Sequence, residues 1–287
     1  MTETTIGLIG IGLLGTALAE RLQTSGLRVL GYDIDKSRHQ QLRSLGGTVA
    51  ASVSDVARHC PTVLLSLPDS TIVSEVLQQL PVEHMRCQTI VDTTTGDPDI
   101  TVHLAQSLRG ANINYLDATV AGSSEQARRG KITIMVGGDP DVVARARWLL
   151  DRLAQSVFHI GAAGSGARMK LIVNLVLGLN RAVLAEGLSL AERCGLDSTV
   201  ALEVLKAGAA YSAAMDTKGD KMVRGDFAPQ ARLAQHLKDV DLILQLASQS
   251  QISLPLSESH RSLLAKAVER GYADADNSAV IRAYPST

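Results

Sequence analysis

The chain has 287 residues, 45% of them hydrophobic, and a formal charge of −1 at pH 7, which allows two domains with a substantial core. Aromatic residues make up only 3% and lysine and arginine form no long run, which excludes a nucleic-acid surface built on base stacking and phosphate contacts. Cys60, Cys87 and Cys194 are isolated and odd in number, a pattern that fits reduced thiols in the cytoplasm better than a disulfide frame. The seven histidines fall in no metal-ligand spacing, so no metal site is expected.

In chain order, residues 5–10 read as a short buried strand, with no basic and then apolar secretory leader before it. Gly10-Ile11-Gly12-Leu13-Leu14-Gly15 follows, then a helix over 16–24 and a second strand over 27–32 ending at Asp33. This is a GxGxxG fingerprint in its strand–turn–helix setting, which predicts dinucleotide binding. The first glycine permits the tight turn, the second lets backbone approach a pyrophosphate, and the third lets helix and strand pack closely. The pyrophosphate would rest on the helix N-terminus, and Asp33 stands where an acid meets the adenosine ribose.

Alternation then continues: helix 35–45, strand 48–50, a helix capped by Ser52 and running to 59, and strand 62–67. Pro68-Asp69 opens a helix; strand 88–92 leads into Thr93-Thr94-Thr95, and Asp97-Pro98 opens the next helix. Strands at 113–117, 132–136 and 157–160 complete an α/β, mostly parallel, doubly wound sheet of Rossmann type, with ligands expected at the carboxyl ends of strands. Beyond Gly164 the strand signals stop. Helices are expected over 169–194, 199–207, 229–249, 258–270 and 278–284, punctuated by Gly195, Gly208, Gly219, Gly225 and Gly271. The first is long and greasy, but Asn174, Asn180, Arg181 and Glu186 interrupt it, so it reads as a buried helix and not a membrane span. The expected organisation is a dinucleotide-binding domain over 1–162, an interdomain helix over 163–194, and an all-α C-terminal domain over 195–287 for substrate and oligomerisation.

The glycine-rich turn at Gly164-Ser165-Gly166 runs into that apolar helix, where Lys170 and Asn174 lie four apart and so share a face. A lysine among Leu171, Ile172, Val173, Leu175, Val176 and Leu177 is costly to desolvate, and burial makes an ammonium group readier to give up its proton. Lys170 is therefore a candidate general acid/base; the alternative is a side chain snorkelling to the surface near the helix start.

With these motifs in order, the chain resembles the β-hydroxyacid dehydrogenase family, which includes 3-hydroxyisobutyrate dehydrogenases, tartronate semialdehyde reductases and glyoxylate/succinic semialdehyde reductases. The resemblance runs over essentially the whole chain. Gly10 to Gly15 is similar to the family's cofactor loop, with Leu14 where a methionine is usual, and Leu67-Pro68-Asp69 to its Leu-Pro-Asp/Asn segment. Asp92-Thr93-Thr94-Thr95 with Pro98 is similar to Asp-x-Ser-Thr-x-x-Pro. Asp117-Ala118-Thr119-Val120-Ala121-Gly122-Ser123 resembles the substrate loop, Gly164 to Asn174 the catalytic-lysine motif, and Phe227 with Lys238-Asp239 a late Phe…Lys-Asp motif.

The resemblance implies that Lys170 is the catalytic acid/base and Asn174 its hydrogen-bonding neighbour at the substrate oxygen. It implies a nicotinamide cofactor, NAD with NADP as the alternative, held by Gly10, Gly12, Leu13, Leu14, Gly15, Asp33, Leu67, Pro68, Thr95 and Lys238. A substrate carboxylate would be held by Gly122, Ser123 and Ser124, with Asp239 close by. Each has a plainer alternative: Thr95 as a helix cap, Ser123 and Ser124 as helix-starting residues, Lys238 and Asp239 as solvated charges, and Phe227 as a core residue under a loop. His236 and Trp148 carry no functional argument above packing.

Two departures bear on substrate choice. Ala121 stands where the family usually has a substrate-touching serine, and Thr119 replaces a proline in the same loop. Pro229-Gln230-Ala231 stands where many members carry Pro-Gly-Phe, with the ring lining the pocket. The resulting expectation is a cytoplasmic oxidoreductase, a homo-oligomer, that transfers hydride between a nicotinamide cofactor and a small hydroxy acid or its aldehyde or keto acid, with no nucleic-acid or membrane partner. The rivals are an imine reductase-like enzyme, against which Lys170 argues, 6-phosphogluconate dehydrogenase, which is a much longer chain, and a dinucleotide-binding module without turnover.

Overall fold

A computed structural model describes residues 4–81 and 85–285. Its contacts divide the chain into two compact units, the first ending at Lys170 and the second starting at Leu171.

The first unit is a sheet of β1 (Thr5–Ile9), β2 (Arg28–Tyr32), β3 (Thr48–Val49), β4 (Thr62–Leu65), β5 (Thr89–Asp92), β6 (Asn114–Ala121), β7 (Thr133–Gly137) and β8 (Ser156–Gly161). The order is β3-β2-β1-β4-β5-β6-β7-β8, and β6–β7 is the antiparallel pair in an otherwise parallel sheet. The helices are α1 (Leu13–Thr24), α2 (Lys36–Ser44), α3 (Val53–His59), α4 (Ser70–Leu77), α5 (Pro98–Gly110), α6 (Ser124–Arg128) and α7 (Pro140–Leu153). Burial on both faces explains the near-continuous apolar strands. Leu8, Leu64 and Val91 belong to one core, and their neighbours Ile9, Val63, Leu65 and Ile90 to the other.

Local chemistry sets the helix starts. Asp35, Ser52, Asp69, Asp97 and Asp139 each accept a backbone N–H as N-cap residues. At α1 the N-cap is Gly12, and no side chain caps it. The sequence ends the sixth strand at Asp117, but β6 runs on to Ala121 because its last residues pair with β7, Ala121 opposite Thr133. The expected substrate loop is therefore mostly strand.

The helix α8 (Ser165–Arg193) begins in the first unit and continues into the second. There it is followed by α9 (Ser198–Ala207), a π turn at Met215–Gly219, α10 (Asp220–Arg224), α11 (Leu233–Gln249), α12 (Pro255–Ala267), a π turn at Val268–Tyr272 and a 3-10 segment at Asn277–Ala283. Residues 229–232 are not helical as expected: the amides of Gln230 and Ala231 donate to the Asp276 carboxylate instead of to a helix ladder. The helix expected to be a buried one and not a membrane span is α8; 39% of its most apolar window lies inside the fold, and the rest forms an exposed face. Asn174 and Arg181 are buried, whereas Ile172, Val176, Val183 and Leu190 are exposed.

Candidate active site

The loop after β1 has the geometry a dinucleotide requires. Gly10 adopts φ +92°, and a Cβ there would lie 2.2 Å from the Ser66 carbonyl oxygen. A Cβ on Gly15 would lie 2.0 Å from the Gly10 oxygen, while at Gly12 nothing stands within 4 Å. A tight turn, a close helix–strand contact and an open approach to an uncapped helix N-terminus fit a pyrophosphate. Leu13 is exposed and Leu14 packs on the core. Asp33 ties the end of β2 to this loop: its carboxylate accepts from Ile11 N at 2.6 Å and from Asp35 N at 2.8 Å. Ile34 beside it is 91% exposed.

At the ends of β4 and β5 the threonines divide their work. The Thr93 hydroxyl donates to the Leu65 carbonyl at 2.7 Å, and the Thr94 hydroxyl accepts from Leu67 N at 3.1 Å, fixing the segment that leads to Pro68. Thr95 is half-buried; Asp97, not Thr95, caps α5, accepting from the amides of Asp99 and Ile100. Under this turn Asp92 accepts from Thr94 N at 2.9 Å and from the Tyr115 hydroxyl at 2.5 Å. Burial pushes its carboxyl up to about 6, against the pull of those bonds.

A carboxyl whose folded pKa is raised binds its proton more tightly folded than unfolded. Its contribution to stability is therefore greatest below the ordinary value of 3.8 and falls as pH rises through about 6. Between pH 4 and pH 7.5 the wild type should lose about 2–3 kcal/mol relative to Asp92→Asn, read by urea unfolding at each pH. Parallel stability profiles would show that Asp92 does not carry this cost.

The end of β6 sets where α8 starts. Asp117 is buried, and its two oxygens accept from Gly164 N and Ala167 N, each at 2.9 Å; burial still shifts this carboxyl upward. The Thr119 hydroxyl donates to the Gly166 carbonyl at 2.9 Å. A Cβ on Gly166 would lie 2.5 Å from the Asp117 carbonyl oxygen, so this glycine is needed for the close approach. Thr119 in place of a proline thus gains a tie to the helix that carries Lys170, which lies in its second turn.

Past Ala121 and Gly122, α6 starts in a capping box. Gln126 N donates to the Ser123 hydroxyl oxygen at 3.2 Å and Ser123 N to Gln126 Oε1 at 2.8 Å. The Ser123 amide, expected to face a substrate carboxylate, is thus engaged by Gln126; its hydroxyl proton, Gly122 and Ser124 are the groups left for an anion.

In the second unit Asn174 donates through Nδ2 to Asp239 Oδ2 at 2.9 Å, with both side chains buried. The solvated-charge alternative therefore fails for Asp239, while Lys238 next to it is half-buried. Phe227 packs edge-on against Tyr272, and the Arg282 guanidinium lies over its ring, as expected of a residue under a loop.

Sequence reasoning missed the pair Lys218–Asp276. The fully buried Asp276 carboxylate takes Lys218 Nζ at 2.9 Å on each oxygen, together with the amides of Gln230, Ala231 and Ser278. Burial alone would raise its pKa, but Lys218 and the amides hold it down to about 2. The partners are 58 residues apart, and no local signal links them.

Two domain families match this chain. The NAD binding domain of 6-phosphogluconate dehydrogenase matches residues 5–161, and the NAD-binding region of NADP-dependent 3-hydroxyisobutyrate dehydrogenase matches residues 164–284. A chloroplastic glyoxylate/succinic semialdehyde reductase 2 of Arabidopsis thaliana is 30% identical over 97% of this chain and 78% of its own length. A crystal structure of 3-hydroxyisobutyrate dehydrogenase from Salmonella typhimurium superposes with a TM-score of 0.91 at 27% identity, covering 98% of this chain and all of its own. An imine reductase from Myxococcus stipitatus, at 21% identity and a TM-score of 0.64 over 98% of this chain and 99% of its own, shares the fold. From the two matched domains and the full-length likenesses, this chain is an NAD(P)-dependent oxidoreductase and belongs to the β-hydroxyacid dehydrogenase family.

Proposed function

We propose that this enzyme interconverts a small hydroxy acid and its aldehyde or keto acid, with Lys170 as the proton donor and acceptor at the substrate oxygen. The observation that carries this reading is the buried Asn174–Asp239 hydrogen bond, one helical turn from Lys170 on α8. A bound nicotinamide cofactor supplies or accepts the hydride at carbon. Lys170 moves the accompanying proton at its Nζ, and Asn174, held by Asp239, orients the same oxygen. Gly122, the Ser123 hydroxyl and Ser124 hold the substrate carboxylate, and Asp239 acts through the Asn174 amide, whose N–H it accepts. Backbone amides over Gly10 to Gly15, including Leu13 and Leu14, hold the pyrophosphate. Asp33 binds the adenosine ribose, and Leu67, Pro68, Thr95 and Lys238 line the rest of the cofactor.

In this reading residues 1–162 are the cofactor domain, 163–194 the connecting helix, and 195–287 the domain for substrate and self-association. The exposed apolar stripe of Ile172, Val176, Val183 and Leu190, with Leu196, Val200 and Val204 next in the chain, supports self-association into a homo-oligomer. The cytoplasm is the proposed location, consistent with the unpaired cysteines.

Absorbance at the NADH band, followed with glyoxylate, succinic semialdehyde, tartronate semialdehyde and methylmalonate semialdehyde, tests the proposal. Turnover of at least one is expected. Tight NADH binding with no turnover of these four or of an added cyclic imine would favour a binding module, and turnover of the imine alone would favour the imine reductase alternative.

A further inference from the structure

Tyr115 lies on the inner strand β6, and only 6% of it is exposed, so its ring is closed off from ligands. A buried hydroxyl is costly unless it is hydrogen-bonded, and a phenylalanine would fill the same core without that cost. The Tyr115 hydroxyl donates to Asp92 Oδ2 of β5 at 2.5 Å, with both side chains buried. Asp92 Oδ1 accepts from Thr94 N at 2.9 Å, and the Thr94 hydroxyl oxygen accepts from Leu67 N at 3.1 Å. A continuous hydrogen-bonded path thus runs from β6 through β5 to the segment after β4. Asp117, in register beside Asp92, stands outside this path, since its oxygens are committed to Gly164 N and Ala167 N.

The far end of the path borders the glycine turn: a Cβ on Gly10 would lie 3.1 Å from Leu67 Cδ2. Pro68 follows and carries no N–H, which leaves Leu67 N as the backbone donor nearest the turn. Thr95 follows Thr94, whose amide Asp92 holds. The glycine turn itself is tied elsewhere, because Gly10 N donates to the Tyr32 carbonyl at 3.0 Å and Ile11 N to Asp33 at 2.6 Å.

We infer that Tyr115 is a positioning residue for the cofactor: by orienting the Asp92 carboxylate it fixes Thr94, and through Thr94 the Leu67–Pro68 segment and Thr95 on the nicotinamide side. The inference rests on the lining role proposed above for those residues. Without the hydroxyl, Asp92 Oδ2 is left buried and short of its donor, the carboxyl turns, and Thr94 and Leu67 lose their fixed places.

Tyr115→Phe in the full chain tests this, with NADH and ADP binding measured by isothermal titration calorimetry at pH 7.5 and Tm beside them. The Kd for NADH should rise about 5- to 30-fold, the effect of losing one hydrogen bond to a charged group. The Kd for ADP, which engages only the glycine turn and Asp33, should stay within about twofold. In steady state the KM for NADH should rise in step, with kcat at saturating NADH within about threefold of wild type. Thr94→Val, which breaks the last link, should give the same pattern and stands in if Tyr115→Phe does not fold. The double variant should lose no more than the larger single loss, because both residues act along one path. A lower Tm with unchanged NADH affinity, equal losses for NADH and ADP, or additive losses in the double variant would each overturn the positioning role. Leu67→Ala and Thr95→Val separate the two claims. If neither weakens NADH binding, the lining reading fails; if either does while Tyr115→Phe binds NADH as the wild type does, only the role of Tyr115 fails.

Discussion

Replacing Lys170 with Met should lower kcat by about two to four orders of magnitude, the usual worth of a general acid/base, while NADH affinity changes by less than about twofold. Reduction of a carbonyl needs hydride at carbon and a proton at oxygen, and methionine preserves the bulk of the lysine stem but carries no proton. The cofactor contacts proposed here lie on the loops after β1, β2, β4 and β5 and at Lys238, so the substitution leaves them in place. The anchoring of α8 is also untouched, since Asp117 and Thr119 hold Gly164, Gly166 and Ala167 before the lysine. Asn174→Ala should lose less, because the amide orients groups and carries no proton. Stopped-flow and steady-state rates on the best panel substrate measure both. A Lys170→Met enzyme within threefold of wild type would remove the lysine from the mechanism.

What was legible in the sequence follows from how far apart the partners are. The cofactor loop needs only Gly10, Gly12, Gly15 and an acid eighteen residues later, all inside one strand–helix–strand unit, and its local chemistry is nearly complete there. The caps at Ser52, Asp69 and Asp97 were legible for the same reason, since each side chain bonds an amide two or three residues on. The start of α8 is different: Asp117 reaches Gly164 and Ala167 across 47 and 50 residues, so its role emerges only once β6 is placed in the sheet. Residues 229–232 show tertiary override of local pattern. Asp276 draws their amides away from a helix that the neighbouring sequence would otherwise extend. The polar centre of the helical unit, Arg181, Lys218, His236, His260 and Asp276, was not legible, because each residue alone reads as a surface charge or a packed histidine.

Cofactor choice gives a second large effect. The Asp33 carboxylate is held by Ile11 N and Asp35 N, so it stands in a fixed place at the end of β2, where in the proposed reading it would accept hydrogen bonds from the ribose diol of NAD. The 2′-phosphate of NADP would bring like charge against it, a cost of a few kcal/mol at most in a partly shielded site. A preference for NADH of about tenfold to several hundredfold in kcat/KM is expected. The residue after Asp33 is Ile34, 91% exposed, an uncharged side chain that offers a 2′-phosphate no partner. Of the nearby cations, Arg38 already faces Asp35 at 3.6 Å, and Lys36 is exposed in the first turn of α2. Asp33→Asn with Ile34→Arg should therefore move the preference toward NADPH. The second change falls on a side chain that packs on little, so Tm should reflect mainly the loss of charge at Asp33. A wild-type enzyme with higher kcat/KM for NADPH than for NADH would overturn this assignment and make Lys36 or Arg38 the phosphate ligand. Lys36→Ala and Arg38→Ala would then identify which, by the loss of NADPH activity alone.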